Sequence, residues 1–160
     1  MSPNIGYQGV SLSGQSTLTL GPGTYYMDSL SVSGQGSIVV SPAGSQVIIY
    51  ITGTGSNGGF SISGNGISNV GAGATPANFQ IIYNGTASSS IVGNGTTQAV
   101  VYAPNSNISV NGNGDIGGAI IGNTVNFVGN GKVHYDRNLS NNFGFLTSYI
   151  TTAFSWDNAD

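Results

Sequence analysis

Only 4% of the 160 residues are charged, against about 25% in an ordinary globular domain, and the net charge is -3. The only strong bases are Lys132 and Arg137, which argues against a phosphate-binding face and so against a nucleic-acid partner. The absence of Cys rules out disulfides and thiolate metal sites, and no apolar run approaches the roughly 20 residues of a helical membrane span.

Residues 1–10 carry no repeat and are read as an irregular N-terminal segment or cap. From residue 11 a short pattern recurs six times: Ser11-Leu12-Ser13-Gly14-Gln15, Ser31-Val32-Ser33-Gly34-Gln35, Ser61-Ile62-Ser63-Gly64-Asn65, Ser90-Ile91-Val92-Gly93-Asn94, Ser109-Val110-Asn111-Gly112-Asn113 and Asn126-Phe127-Val128-Gly129-Asn130. The glycines stand 20, 30, 29, 19 and 17 residues apart. Self-similarity at such a period marks a solenoid, in which each unit stacks on the last.

A second repeat lies between these patterns: Val47-Ile48-Ile49-Tyr50-Ile51, Phe79-Gln80-Ile81-Ile82-Tyr83, Ala99-Val100-Val101-Tyr102-Ala103 and Ala119-Ile120-Ile121. Runs of β-branched and aromatic residues bounded by Gly, Asn and Pro read as strands. The unit is strand, Gly turn, strand, turn, too short for a crossover helix. The expected fold is all-β: a single-domain parallel β-helix of about five to six coils over residues 11–140, stacked at about 4.8 Å per coil. Extra residues fall in Gly-rich loops at 52–59 and 70–77.

Strand periodicity sets the side-chain directions. Leu12, Val32, Ile62, Ile91, Val110 and Phe127 are expected to stack inside, with Ser31, Ser61, Ser90, Ser109 and Asn126 aligned outside. Gln35, Asn65, Asn94, Asn113 and Asn130 are expected to form an amide ladder at the corner. Tyr50, Tyr83 and Tyr102 suggest an aromatic stack within the solenoid; with Tyr25 and Tyr26 they are also the candidates for sugar-stacking platforms. Residues 141–160 break the repeat. Phe143, Phe145, Leu146, Tyr149, Ile150, Phe154 and Trp156 make this tail a capping segment, strand-rich or with a short helix over 143–153, folded on its own solenoid or laid on a neighbour.

The stretch VYAPNSNISVNGNGDIGGAIIGNTVNFVGNGKVHYDRNL (101–139) resembles the C-terminal Gly/Ser/Asn-rich β-solenoid domain of bacterial PilX-like pilus-assembly and surface proteins. Gly21-Pro22-Gly23-Thr24-Tyr25-Tyr26 and Ser155-Trp156-Asp157 resemble that domain's edges. The resemblance spans residues 11–157 and implies a non-enzymatic module of a cell-surface or pilus-like assembly: a spacer, an adhesive tip or a self-assembling filament subunit. It supplies no catalytic residues. The chain opens on Met-Ser-Pro-Asn, without basic or apolar signal regions, so an extracellular location rests on an N-terminal export segment absent from this chain.

Lys132-Val133-His134-Tyr135-Asp136-Arg137 places His134 and Asp136 on one strand face, where an Asp–His pair can orient a base. No second acid or nucleophile accompanies it, and the cluster is read as a structural cap whose charges satisfy buried backbone groups. Asp115 echoes a calcium repeat, but its equivalents Ser37, Ile67, Thr96 and Lys132 do not continue it. No catalytic residue, metal or cofactor is expected. The sequons at Asn84, Asn94, Asn107 and Asn138 are read as chance matches in an Asn-rich chain. Two alternatives stay open: a carbohydrate-binding or carbohydrate-active β-helix, with a surface glycan as partner, and an ice-binding solenoid built on the outward Ser, Asn and Thr rows. The partners expected under the leading reading are other copies of the chain or other surface components.

Overall fold

The computed structural model describes residues 1–63, 65–69, 71–93, 97–112, 115–130 and 132–139. The strands in chain order are β1 Gly6–Leu12, β2 Thr17–Leu20, β3 Gly23–Val32, β4 Ser37–Val40, β5 Val47–Ile51, β6 Phe60–Ile62, β7 Ile67–Ser68, β8 Phe79–Tyr83, β9 Ser89–Gly93, β10 Thr97–Gly112, β11 Asp115–Gly129 and β12 Lys132–Tyr135. Every pairing among them is parallel. The molecule is a parallel β-solenoid of about six turns. Single 3₁₀ turns at Gly55–Asn57 and Pro76–Asn78 interrupt the longer loops. Among the described residues no helix is long and apolar enough to cross a membrane.

The strand ladder follows from the repeat. Leu12, Val32, Ile62, Ile91, Val110 and Phe127 are successive register partners through β1, β3, β6, β9, β10 and β11. A second inward column runs Tyr25, Ile49, Ile81, Val101, Ile120. The small sheet of β2, β4 and β7 closes the far side with Leu18, Ile38 and Ile67. These columns form one continuous apolar core. Burial of such columns is the main favourable term in a chain with so little charge.

Polar side chains tie the outside of each coil to the next. Ser33 Oγ donates to the Leu12 carbonyl at 3.2 Å, and Ser63 Oγ donates to the Val32 carbonyl at 2.7 Å. Ser11, Ser31, Ser61, Ser90, Ser109 and Asn126 align in one outward column, where Ser90 Oγ donates to Ser61 Oγ at 3.0 Å. At the corners the backbones come close. Gly34 has φ +66°, and a Cβ there would meet the Gly14 backbone at 3.0 Å. Only glycine fits both the left-handed backbone and that approach.

Four expectations need correction. The first ten residues are not irregular throughout, because β1 starts at Gly6 and pairs with β3 from Tyr26 onward. Its Tyr7 and Val10 pack against the core. Phe127 has the inward register but is 51% exposed, because no described strand lies over Val125–Gly129; β12 covers only Asp115–Gly118. The amide ladder is not continuous. Gln15 Nε2 donates to Gln35 Oε1 at 3.4 Å, but Asn65 Nδ2 donates instead to the Gln35 backbone carbonyl at 3.1 Å. Asn94 and Asn113 lie outside the described residues. Tyr83 does not join Tyr50 and Tyr102. It pairs with Ile51 and points inward, while Ile82 takes the place beside Tyr50. The proposed cap residues Phe143, Phe145, Leu146, Tyr149, Ile150, Phe154 and Trp156 lie outside the described residues.

Candidate binding face and open ends

Two features of the surface are candidates for function: the ends of the coil stack and the outer face of the large sheet. At the N-terminal end the inward residues Tyr7, Val10, Leu12 and Leu18 are only partly buried. β1 pairs on one side with β3 and β2 with β4, and no described strand covers their other edges. At the other end Phe127 and Val128 are more than half exposed. Edges of this kind carry unpaired N–H and C=O groups that template further strand pairing. No charged residue precedes Asp28 to discourage it.

The outer face carries a column of large side chains in register: Tyr26, Tyr50, Ile82, Tyr102 and Ile121. The Tyr26 and Tyr50 rings stack with centroids 5.4 Å apart and planes 13° from parallel. On the next coils Tyr102 and Ile121, with Val100 and Ala119, pack under Leu139, which follows β12 and is buried on this outer face. One half of the column is therefore covered and the Tyr26–Tyr50 half is open, with Tyr26 39% exposed.

Beside Tyr50 the surface sinks into a cleft of about 330 Å³. Tyr50 and Ile82 give it an apolar side. Thr52, Thr54 and Asn84 give it a polar side. These polar residues sit on the loops that leave β5 and β8, and hydrogen bonds and close glycine contacts fix both loops. The Tyr83 hydroxyl, 1% exposed as a residue, accepts the Ala87 N–H at 3.0 Å. Gly58 and Gly85 lie so close to that hydroxyl that no Cβ fits at either position. Thr52 Oγ1 donates to Asp28 Oδ1 at 3.0 Å, and Asn105 Nδ2 donates to the Asn84 carbonyl at 3.0 Å. The sequence reading named Tyr50 but missed Thr52, Thr54, Ile82 and Asn84. They come from two coils and form no motif in the chain.

The remaining candidates do not converge. Tyr25 and Tyr83 are buried inside and present no platform. Lys132, Val133, His134 and Tyr135 are exposed along β12. Asp136 Oδ1 accepts the Asn138 N–H at 2.9 Å in the turn that follows. Among the described residues no three His, Asp or Glu side chains come together as a metal-ligand set.

A family model described as a domain of unknown function (DUF7305) matches residues 30–142, from the second half of β3 past Leu139. No curated protein and no solved structure matches the chain.

Proposed function

The chain belongs to the DUF7305 family, a domain of unknown function, and from that premise we propose that it is a non-enzymatic structural module of a bacterial cell-surface or pilus-like assembly. The observation that carries this reading is the pair of open ends. Core columns buried through the middle coils run out to Tyr7, Leu12 and Leu18 at one end and to Phe127 at the other. A second copy stacked end to end continues those columns and pairs the free edges. Weak net charge offers little repulsion against it. Low charge, hydroxyl-rich outer rows and the likeness to PilX-like solenoids support an extracellular setting reached through an export segment. A solenoid is suited to such a role, because each coil contacts only its neighbours and added coils extend the length while each contributes its own interface.

Sedimentation velocity over a concentration series, with negative-stain microscopy of the concentrated sample, tests the reading. Elongated species that grow with concentration and disappear in Phe127→Lys are expected. A monomer at every concentration would overturn it.

A further inference from the structure

We propose that the cleft beside Tyr50 is a binding site for a neutral polysaccharide, with the Tyr50 ring as the stacking surface and the polar loop residues as hydroxyl partners. This goes beyond the assembly role and does not depend on it, since the cleft lies on the side of the solenoid and not at its ends.

Three observations converge on this chemistry. The first is the mixed wall. A sugar ring has apolar C–H faces and a rim of hydroxyls, so it needs an aromatic surface flanked by hydrogen-bonding groups. The cleft supplies Tyr50 and Ile82 for the one and Thr52, Thr54 and Asn84 for the other. Thr54 heads a 3₁₀ turn but makes no capping bond from its side chain, and the lining residue Asn84 is held in place by the bond its carbonyl accepts from Asn105. The volume, about 330 Å³, is at the lower end of the range for small-molecule sites. It suits one or two sugar units of a longer chain running along an open face.

The second observation is rigidity. Tyr26 stacks on Tyr50. Tyr26 does not line the cleft. The ring is thus braced from the coil below, and the loops are pinned on Tyr83 and Asp28. A surface ordered beforehand loses little side-chain freedom on binding. The third is charge. No Lys, Arg or His lines the cleft, and Asp28, bonded to the lining residue Thr52, is negative. Phosphorylated, sulfated and uronic-acid chains are disfavoured, which leaves neutral glycans.

The test is titration of the ¹⁵N-labelled full chain with neutral cello-, manno-, xylo- and chito-oligosaccharides, followed by amide shifts. At least one series is expected to shift Thr52, Thr54, Asn84 and Gly85. Tyr50→Ala should weaken that binding by about tenfold or more, the loss of one well-placed aromatic contact. Tyr50→Phe should retain it, and Asn84→Ala should weaken it without altering the fold. Ser61→Ala, on a different face, should bind as the parent does. The proposal is overturned if no neutral oligosaccharide shifts the cleft residues, if Tyr50→Ala binds as tightly as the parent, or if the cleft shifts only with self-association of the chain.

Discussion

Ile62 and Phe127 occupy the same inward column, each two residues before the glycine of its repeat, yet one has no solvent exposure and the other is half exposed. Their backbone register is the same. The difference is that Ile62 has a described strand on each side and Phe127 has one on only one side. In a solenoid, pointing inward is therefore not the same as being buried. Each coil borrows half of its burial from the next, and the outermost described coils keep inward residues that are only partly covered.

Substitutions at equivalent positions sharpen this contrast. Val110→Asp places an unpaired charge in the closed column, and the chain should lose more than about 4 kcal/mol or fail to fold. Phe127→Asp should fold. Far-ultraviolet circular dichroism and urea melts of the two variants separate them, and equal damage would remove the distinction between middle and end. Ile62→Ala should cost about 2–5 kcal/mol in a urea titration, as for other large-to-small core changes. Phe127→Ala should cost about 1 kcal/mol or less, since its side chain is already half in water.

The glycine corners extend the comparison. Gly14 and Gly34 both have left-handed backbones, but a Cβ at Gly14 meets nothing within 4 Å while one at Gly34 meets the Gly14 backbone. Gly14→Ala should cost about 1–2 kcal/mol, the ordinary penalty of that conformation. Gly34→Ala should cost measurably more, because one coil must lift from the other. The smallest effect is expected at the serine column. Ser90→Ala removes a hydroxyl bond between partly exposed side chains and should change stability by about 1 kcal/mol or less. A larger loss there would show that the outer rows, rather than the core columns, hold the coils together.

The register of this column was legible because each copy of the repeat is short and alternates with a period of two, from Ser11-Leu12-Ser13 to Asn126-Phe127-Val128. The strands Val47–Ile51 and Phe79–Tyr83 were legible for the same reason, as β-branched runs between glycines. Other features were hidden for identifiable causes. Tyr50 and Tyr83 both follow isoleucine, so their opposite directions could not be seen until the pairing of Val47 with Phe79 fixed the register. Gly6 and Gly9 interrupt the apolar pattern of β1 and made it look irregular. Exposure at Phe127 depends on what lies above it, which local sequence does not encode. The cleft joins Tyr50 to Asn84 across two coils, and only the stacking brings them together.

Amide hydrogen exchange, read coil by coil at low and high protein concentration, tests the central claim most directly. The account predicts slow exchange in β3, β5 and β8 at both concentrations. It predicts fast exchange in Gly6–Leu12 and residues 124–129 when dilute, with protection rising there as the chain is concentrated and copies meet end to end. Uniform protection from the first coil to the last, or end strands that exchange equally fast at every concentration, would contradict it.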